Sequence, residues 1–166
     1  MDLFVNTELA EYCKRLIALK GQEDKTFRLA LDNTRIKKII RQLNTVKQLR
    51  TDHIDSTGTE LYSNKHDSGV YSGVTEILSK GRKKAGTPYT LFDTGDFFNS
   101  WVVDVQNGFI TINANPIKKG DSFGGTNLFE EYGINILGLT DENLGILISE
   151  ALEKYITWYR QNALPR

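Results

Sequence analysis

The sequence contains few of the residue types from which the simplest functional sites are built. Among its 166 residues are one cysteine, one methionine, two histidines and three prolines. The single cysteine, Cys13, excludes a disulfide within the chain and fits synthesis in a reducing, intracellular environment. The apolar residues around it at helical spacing predict a small buried side chain rather than a reactive thiol.

Long hydrophobic runs are also missing. No stretch approaches the roughly 20 consecutive apolar residues of a membrane span. The opening residues Met1-Asp2-Leu3-Phe4 include an early acid and no basic segment, so we expect no secretory signal. A composition of 39% apolar and 25% charged residues is typical of a soluble globular protein, and the length predicts one domain over 1–166.

The motifs of common catalytic and metal sites are absent as well. There is no Gly-x-Ser-x-Gly, and the basic segment 80–86 lacks the Gly-Lys-Ser/Thr ending of a phosphate-binding loop. His53 lies beside Asp52 and Asp55, but two acids and one histidine in a turn-rich loop do not complete a metal site. The same holds for His66-Asp67.

Two acid pairs are candidates for a two-carboxylate site: Asp93 with Asp96, and Glu130 with Glu131. Helix capping and solvent exposure explain Asp93 and Asp96 better than general acid–base chemistry does. We therefore predict no catalytic residue, no cofactor and no metal, and we expect the protein not to be an enzyme.

Charge is balanced over the whole chain but unevenly distributed along it. Residues 1–84 hold 16 Lys and Arg against 11 Asp and Glu, whereas residues 85–166 hold 5 against 10. One interpretation is ordinary surface charge. The other is a polar molecule whose oppositely charged ends attract further copies of itself.

Residues 1–50 are predicted to form a helical arm region. A first helix, capped by Asn6 or Thr7 and ending at Lys20-Gly21, carries an apolar face that includes Cys13. A second begins near Glu23-Asp24. The clearest pattern is a helix over 34–50, whose apolar residues recur at helical spacing. Those residues are Ile36, Ile39, Ile40, Leu43, Val46 and Leu49.

The outer face of the helix over 34–50 is basic. Six like charges on one helix predict contact with phosphate or with an acidic protein surface, and the alternative is a simple solvated face. No aromatic residues alternate with the charges, which argues against a stacking platform for single strands. The six residues are Arg35, Lys37, Lys38, Arg41, Lys47 and Arg50.

The centre of the chain is an aromatic stretch that contains a Thr-Gly pair, and we call residues 93–101 the joint. Asp93 or Thr94 is expected to cap a short helical turn, and Gly95 permits a backbone that other residues resist. The apolar surface that docks this turn comes from three aromatic residues. They are Phe97, Phe98 and Trp101.

The joint leads into a predicted β-hairpin, 101–112, with strands 101–105 and 109–112 and Asn107-Gly108 at the turn. Residues 113–127 form a polar loop that we expect to be mobile or ordered by a partner. Ile134 to Leu137 reads as a last short strand.

Thr140 is predicted to cap a long terminal helix. Its expected apolar face comprises Leu144, Ile148, Ala151, Leu152, Tyr155, Ile156 and Tyr159, with Leu147 and Trp158 beside it. The predicted fold class is α+β, with the N-terminal helices and the terminal helix packed on a small antiparallel sheet.

The order of features over 55–164 resembles the tail-completion, neck and minor tail proteins of tailed bacteriophages, including the virion-morphogenesis and gp10-like groups. The resemblance lies in a Gly-Leu-Tyr loop, the Thr-Gly joint, a hairpin, an aromatic-Gly return and a helix opening. Here these are Gly58…Leu61-Tyr62, Asp93-Thr94-Gly95…Ser100, the hairpin, Tyr132-Gly133 and Gly138-Leu139-Thr140-Asp141-Glu142. Family members often carry Arg-Pro-Phe before the terminal helix, where this chain has Ile134-Asn135-Ile136-Leu137.

The resemblance implies a non-enzymatic virion component, made in the cytoplasm of a bacterial host. Such a protein assembles as a ring at the head–tail junction, or on the tail, and contacts the portal or connector and the tail tube. The basic helix 34–50 would then face DNA in the channel or an acidic connector. The alternative is a DNA-binding or packaging-associated protein that uses the same helix, and neither interpretation involves a membrane.

Overall fold

The fold is α+β, with helices and one two-stranded antiparallel sheet in the part of the chain that the structure describes. The structure is a computed structural model and describes residues 14, 15, 17–20, 25, 28, 31–106, 109–118 and 125–163. The predicted fold class is confirmed. None of the helices among these residues is long and apolar enough to cross a membrane.

Only part of the predicted N-terminal arm, 1–50, falls within the described residues. Positions 14, 15 and 17–19 are helical, as are 25, 28 and 31. Cys13, the predicted cap at Asn6 or Thr7 and the second helix start at Glu23-Asp24 lie outside the described residues.

Helix α1, Thr34–Gln42, begins where the sequence predicts and continues directly into a π-helix, Leu43–Asp52. Asn33 caps α1, because its side chain accepts a 3.0 Å hydrogen bond from the Ile36 amide. His53 ends the π-helix in the left-handed conformation, with φ of 59°. The predicted helix over 34–50 is therefore confirmed in extent.

The buried face of this helix was predicted only in part beyond Ile40, since Leu43 packs on the core as expected but Val46 does not. Leu49 is fully buried, but Val46 is 48% exposed, and the polar side chains of Asn44 and Gln48 are fully buried instead. A π-helix has more residues per turn than the α-helix. Residues predicted at a 3.6-residue spacing therefore shift away from the core-facing side within about one turn.

Two short helices and two short strands follow. Helix α2 is Gly73–Leu78, capped by Ser72, and α3 is Asp96–Asn99. Strands β1, Val102–Gln106, and β2, Phe109–Asn113, form the predicted hairpin, with Gln106 opposite Phe109 in the register. That register leaves two residues for the turn, as the Asn-Gly signal predicted, although Asn107 and Gly108 themselves lie outside the described residues.

The two ends of the predicted polar loop 113–127 pair with each other. Ile117 and Asn127 form an antiparallel bridge, and the Lys118 amide donates to the Thr126 carbonyl over 3.0 Å. Residues 119–124 lie outside the described residues. The described ends of this loop are therefore ordered by contacts within the chain.

Helix α4, Leu128–Tyr132, returns the chain to the core and ends at Gly133, where φ is 84°. The predicted strand over Ile134 to Leu137 is wrong, because Ile134–Ile136 is a 3₁₀ turn. The left-handed Gly133 bends the chain so that Ile136 becomes fully buried, and the Asn135 carbonyl accepts from Ser56. This short segment fills the core without pairing in a sheet.

Helix α5, Asp141–Ala163, starts at the predicted cap, where the Asn143 amide donates to Thr140 Oγ1 over 3.3 Å. Its predicted apolar face is only partly right. Leu147 and Ala151 are buried on the core side. Leu144, Ile148, Leu152 and Ile156 are exposed instead.

The core has two clusters. One lies around the joint aromatics with Leu49, Leu61 and Ile136. The other packs α1 and α5 together against one side of the hairpin. Val103, Val105, Ile110 and Ile112 are the hairpin residues that contact this second cluster.

Candidate functional site

The joint turns the chain at Gly95, which has a φ of 88° and directly precedes α3. The N-cap of α3 is Gly95, without a side-chain cap, so the predicted cap by Thr94 is wrong. Thr94 Oγ1 does accept from the Asp96 amide over 3.4 Å. A cap by Asp93, the predicted alternative to Thr94, is not observed. Asp93 instead faces a group of cations.

The aromatic residues of the joint are buried, as predicted. The Phe97 ring meets Trp101 at 5.8 Å and Phe129 at 6.4 Å between centroids, both edge to face. Phe98 lies 6.0 Å from Phe97. Edge-to-face contacts add specific orientation to the apolar burial. The predicted docking role of Phe97, Phe98 and Trp101 is therefore confirmed.

Asp93 is the acidic centre of a basic cluster. Its carboxylate lies 2.9 Å from Arg82 Nη1, 3.2 Å from Lys83 Nζ and 3.8 Å from Lys118 Nζ. Burial alone would raise the pKa of Asp93, but the Lys83 hydrogen bond and the three nearby charges outweigh it and lower that pKa. Asp93 is therefore held ionised by residues from two other segments.

The ion pair between Asp93 and Lys83 does not raise the pKa of Lys83. Burial and the neighbouring charge of Lys118 lower the pKa of Lys83, and together they exceed the opposing effect of Asp93. Lys83 also lies over the Tyr71 ring, with Nζ 5.6 Å from the centroid. The cluster therefore holds the basic segment 80–86 against the joint.

A cavity of about 480 Å³ opens beside this cluster. Tyr71, Tyr89 and Tyr132 are among its lining residues, and Tyr89 contacts the other two rings edge to face at 4.8 and 5.3 Å. Burial raises the pKa of Tyr132 well above its ordinary range. The Tyr132 ring is therefore a neutral packing group. Lysines and carboxylates share the rim, so the cavity carries no single sign of charge.

The predicted basic face is largely engaged within the chain. Arg35 pairs with Glu150 at 3.1 Å, and Lys37 pairs with Asp32 at 2.6 Å. Lys47 pairs with both Asp52 and Glu142, and these hydrogen bonds, that to Glu142 first, raise its pKa. Lys38 is exposed.

Of the two remaining basic residues, Arg41 contacts the joint and Arg50 contacts Phe92, the residue directly before it. Arg41 Nη2 donates to Asn99 Oδ1 over 2.9 Å, and the Arg50 guanidinium lies 4.2 Å from the centroid of the Phe92 ring. The basic helix therefore contacts the joint region through Asn99 and Phe92, neither of which was among the predicted site residues. These contacts are structural, because a hydrogen bond and a cation–π attraction hold the basic helix against the joint region.

The uneven charge of the sequence is partly compensated in three dimensions. Arg35 pairs with Glu150, Lys47 with Glu142, and Arg82 with Asp93, each across the two oppositely charged halves. Part of the charge asymmetry therefore serves internal packing.

A network of buried amides anchors the start of α5 and was not foreseen. Asn44 Oδ1 accepts from the Gly138 amide at 2.8 Å, and Asn44 Nδ2 donates to the Ile136 carbonyl. Gln48 Nε2 donates to the Gly138 carbonyl, and Gln48 Oε1 accepts from the Thr140 amide at 3.0 Å. The sequence signal that could have revealed this network is the presence of Asn44 and Gln48 at helix positions where apolar residues are expected.

Two apolar surfaces are exposed on different parts of the molecule. The α2 triad consists of Val74, Ile77 and Leu78, and the latter two are each 78% exposed. The α5 stripe consists of Leu144, Ile148, Leu152 and Ile156. Clustered apolar exposure of this kind is typical of interaction surfaces. Of all the features on the described residues, these two have the clearest capacity to bind another protein.

Among the described residues, no group of three or more histidine, cysteine, aspartate or glutamate side chains is arranged to hold a metal ion. The sequence and structure were compared with family models, curated proteins and solved structures, and no match was found in any of the three comparisons.

Proposed function

We propose that this chain is a structural subunit of a tailed-phage virion, acting at the head–tail junction as a tail-completion or neck protein. In this role it forms a ring and joins the connector to the tail, and it performs no catalysis. The observation that carries the proposal is the pair of separate exposed apolar surfaces, the α2 triad and the α5 stripe. A ring subunit needs two different faces that meet head to tail.

The joint supports an assembly role through what its polar groups do. Asp93 is paired with cations, Thr94 bonds to Asp96, and the Asn99 amide receives Arg41. Each of these groups orients a neighbouring element. The residues that the phage resemblance depends on are therefore used to build a rigid subunit.

The motif before the terminal helix supports the same view. Gly138 and Thr140 are bonded through their backbones to Asn44 and Gln48, so the motif fixes where α5 begins and how it projects. A fixed projection is what an assembly subunit requires of a helix that carries an exposed apolar face.

A DNA-binding function through helix 34–50 is the alternative, and the ion pairs argue against it. Arg35, Lys37 and Lys47 already have carboxylate partners, and such pairing offsets attraction to phosphate. Substituting Lys37, Lys38 and Arg41 by alanine tests this directly. A steep salt-dependent loss of duplex binding supports the alternative, whereas unchanged binding with failed assembly supports the structural role.

A two-carboxylate hydrolase is a further possibility raised by Asp93 and Asp96. Asp93 is enclosed by Arg82, Lys83 and Lys118, while Asp96 is exposed and bonded to Thr94. Full biological activity of the double variant Asp93→Asn, Asp96→Asn eliminates this possibility. An inactive variant that still folds and assembles would favour it.

Electron microscopy of virions that carry a tagged copy of the chain tests the main proposal. We expect density at the head–tail junction, and a phage that lacks the protein should accumulate separate heads and tails. Native mass measurements with purified connector and tail proteins give an independent check. Monomers alone, at high concentration and with those partners present, would contradict the proposal.

A further inference from the structure

The α2 triad and the α5 stripe differ in shape and lie on different parts of the subunit. Helix α2 has six residues and lies beside the cavity, to whose lining Thr75 contributes. Helix α5 packs on the second core cluster through Leu147 and Ala151. Contacts between copies that use two unlike surfaces are heterologous and repeat around a ring.

The stripe is long enough to receive the triad. Its residues recur every four positions over three helical turns, which spans about 18 Å along the axis. The triad occupies i, i+3 and i+4 on a helix about 9 Å long. Packing of one against the other would remove both apolar surfaces from water, which is the main driving force of protein association.

The charges beside the two surfaces are opposite. Lys80 follows α2 and is held against it by its amide, which donates to the Ile77 carbonyl over 3.0 Å. Lys84 lies close by, because the next residue, Ala85, donates to Glu76. Both lysine side chains are exposed.

Two exposed acids border the α5 stripe along its length, and Arg160 lies at its C-terminal end. Asp141 and Glu153 precede Leu144 and Ile156 by three positions each, so they lie next to the stripe on the helix surface. Both are exposed. Two surfaces of the same chain therefore match in apolar character and are complementary in charge, which favours mutual recognition over random sticking.

We infer that the α2 triad of one copy docks on the α5 stripe of the next copy, with Lys80 and Lys84 facing Asp141 and Glu153. The inference rests on the proposed function and specifies the contact by which the ring is built. The occupant of the stripe is a second copy of this chain.

Two aspartate substitutions test the contact, and each has a matched control. Ile77→Asp disrupts the triad and Ile148→Asp disrupts the stripe. Val102→Asp and Ile146→Asp place the same charge on other exposed apolar residues, one on the hairpin and one on α5. We expect the wild-type chain and both controls to form oligomers by light scattering or native mass spectrometry, and both test variants to be monomeric.

Mixing the two test variants gives the sharpest result. One retains an intact stripe and the other an intact triad, so an equimolar mixture should form a 1:1 dimer and nothing larger. Oligomers of Ile77→Asp that match the wild type would indicate stripe-to-stripe contact and overturn the inference. Monomeric wild type at high concentration would also overturn it.

A measurement of thermal stability distinguishes a second copy from one other possible occupant of the α5 stripe, which is another part of the same chain. If Ile148→Asp lowers the melting temperature without changing the mass, the chain's own residues cover the stripe and the inference fails. For the charges, Lys84→Glu should weaken association by up to about fivefold. Adding Glu153→Lys should restore it, and no restoration would contradict the facing arrangement.

The outcomes distinguish the contact from the proposed function. Density at the head–tail junction, together with unaffected assembly of Ile77→Asp, keeps the proposed function and rejects this contact. A 1:1 dimer from the mixed variants, without virion density, keeps the contact and rejects the virion role.

Discussion

The side chains of Gln48 and Asn143 are fully buried and joined by a 3.1 Å hydrogen bond from Asn143 Nδ2 to Gln48 Oε1. The same oxygen accepts from the Thr140 amide. One glutamine of the π-helix thus satisfies the first turn of α5, where amides have no partner within their own helix. The position of α5 relative to α1 depends on this bond as much as on apolar packing.

Replacing this glutamine should be costly. Gln48→Leu keeps the volume but leaves the Thr140 amide, the Asn143 side chain and the Gly138 carbonyl without their partner. We expect the free energy of unfolding in urea to fall by about 2–4 kcal/mol. The exposed Gln42→Leu, on the same helix, is the control and should change it by less than about 0.5 kcal/mol. Equal effects would show that the buried network has no special weight.

Substitutions at Gly95 and Gly138 distinguish the effect of backbone strain on stability from that of steric crowding. Both have positive φ, at 88° and 117°, but a β-carbon at Gly138 would lie 3.0 Å from Ser56 Cβ, whereas at Gly95 the nearest atom is 3.5 Å away. Gly138→Ala should lower the free energy of unfolding by about 2–4 kcal/mol and Gly95→Ala by about 1 kcal/mol. Thermal unfolding of both variants checks this order, and the reverse order would contradict it.

A larger side chain tests the central role of the joint. Gly95→Val places a β-branched residue at a φ of 88°, a conformation that such residues rarely adopt. We expect little folded protein, as measured by circular dichroism and solubility. If Gly95→Val folds normally, the joint does not require the left-handed backbone.

The Asp93 cluster should make stability depend on acidity. The folded pKa of Asp93 is lowered from its ordinary 3.8, so its ionised form stabilises the folded state above that pH. This contribution should disappear as the pH falls through the lowered folded pKa. We expect Asp93→Asn to be less stable than wild type by about 1–2 kcal/mol near neutral pH, and the two to converge once the pH falls below the lowered folded pKa of Asp93.

The comparison is made by urea unfolding across that pH range. Asp67→Asn is a control carboxylate away from the cluster and should shift the profile little. A constant difference between Asp93→Asn and wild type at every pH would mean that the loss comes from packing rather than from the charge of Asp93.

The contact between Arg41 and Asn99 should contribute to stability, whereas the side chain of the nearby Lys38 should not. Arg41→Ala removes the 2.9 Å hydrogen bond that ties the basic helix to the joint, so the free energy of unfolding should fall by about 0.5–1.5 kcal/mol. Lys38→Ala is the matched control and should be neutral within about 0.5 kcal/mol. A double-mutant cycle with Asn99→Ala isolates the pair, and additive effects would contradict their coupling.

Local signals in the sequence predicted much of this fold. The Asn-Gly pair with flanking β-branched residues located the hairpin, and Thr140 before two acids located the start of α5. These features depend on neighbours only a few positions away, which explains why they are readable without a structure.

Features set by distant residues were not predictable in the same way. Val46 was expected in the core and Asn44 outside, because the switch to π-helical geometry is favoured by partners some 92–95 positions away. Asp93 was assigned to a cap because Arg82, Lys83 and Lys118 come from other segments. The α5 face was misjudged because apolar residues surround more than half of that helix, and only the packing of α1 decides which of them become buried.

The buried amides of the π-helix also set an order of events for the emerging chain. Asn44 and Gln48 leave the ribosome some 90 residues before the backbone that satisfies them, which runs from Ile136 to Thr140. Until then the helix carries unpaired polar groups on the side it must bury, so it has no stable place to pack. The fold can reach its final form only after the segment from Ile136 to Thr140 has been made, so the π-helix acquires its packing partners late in synthesis.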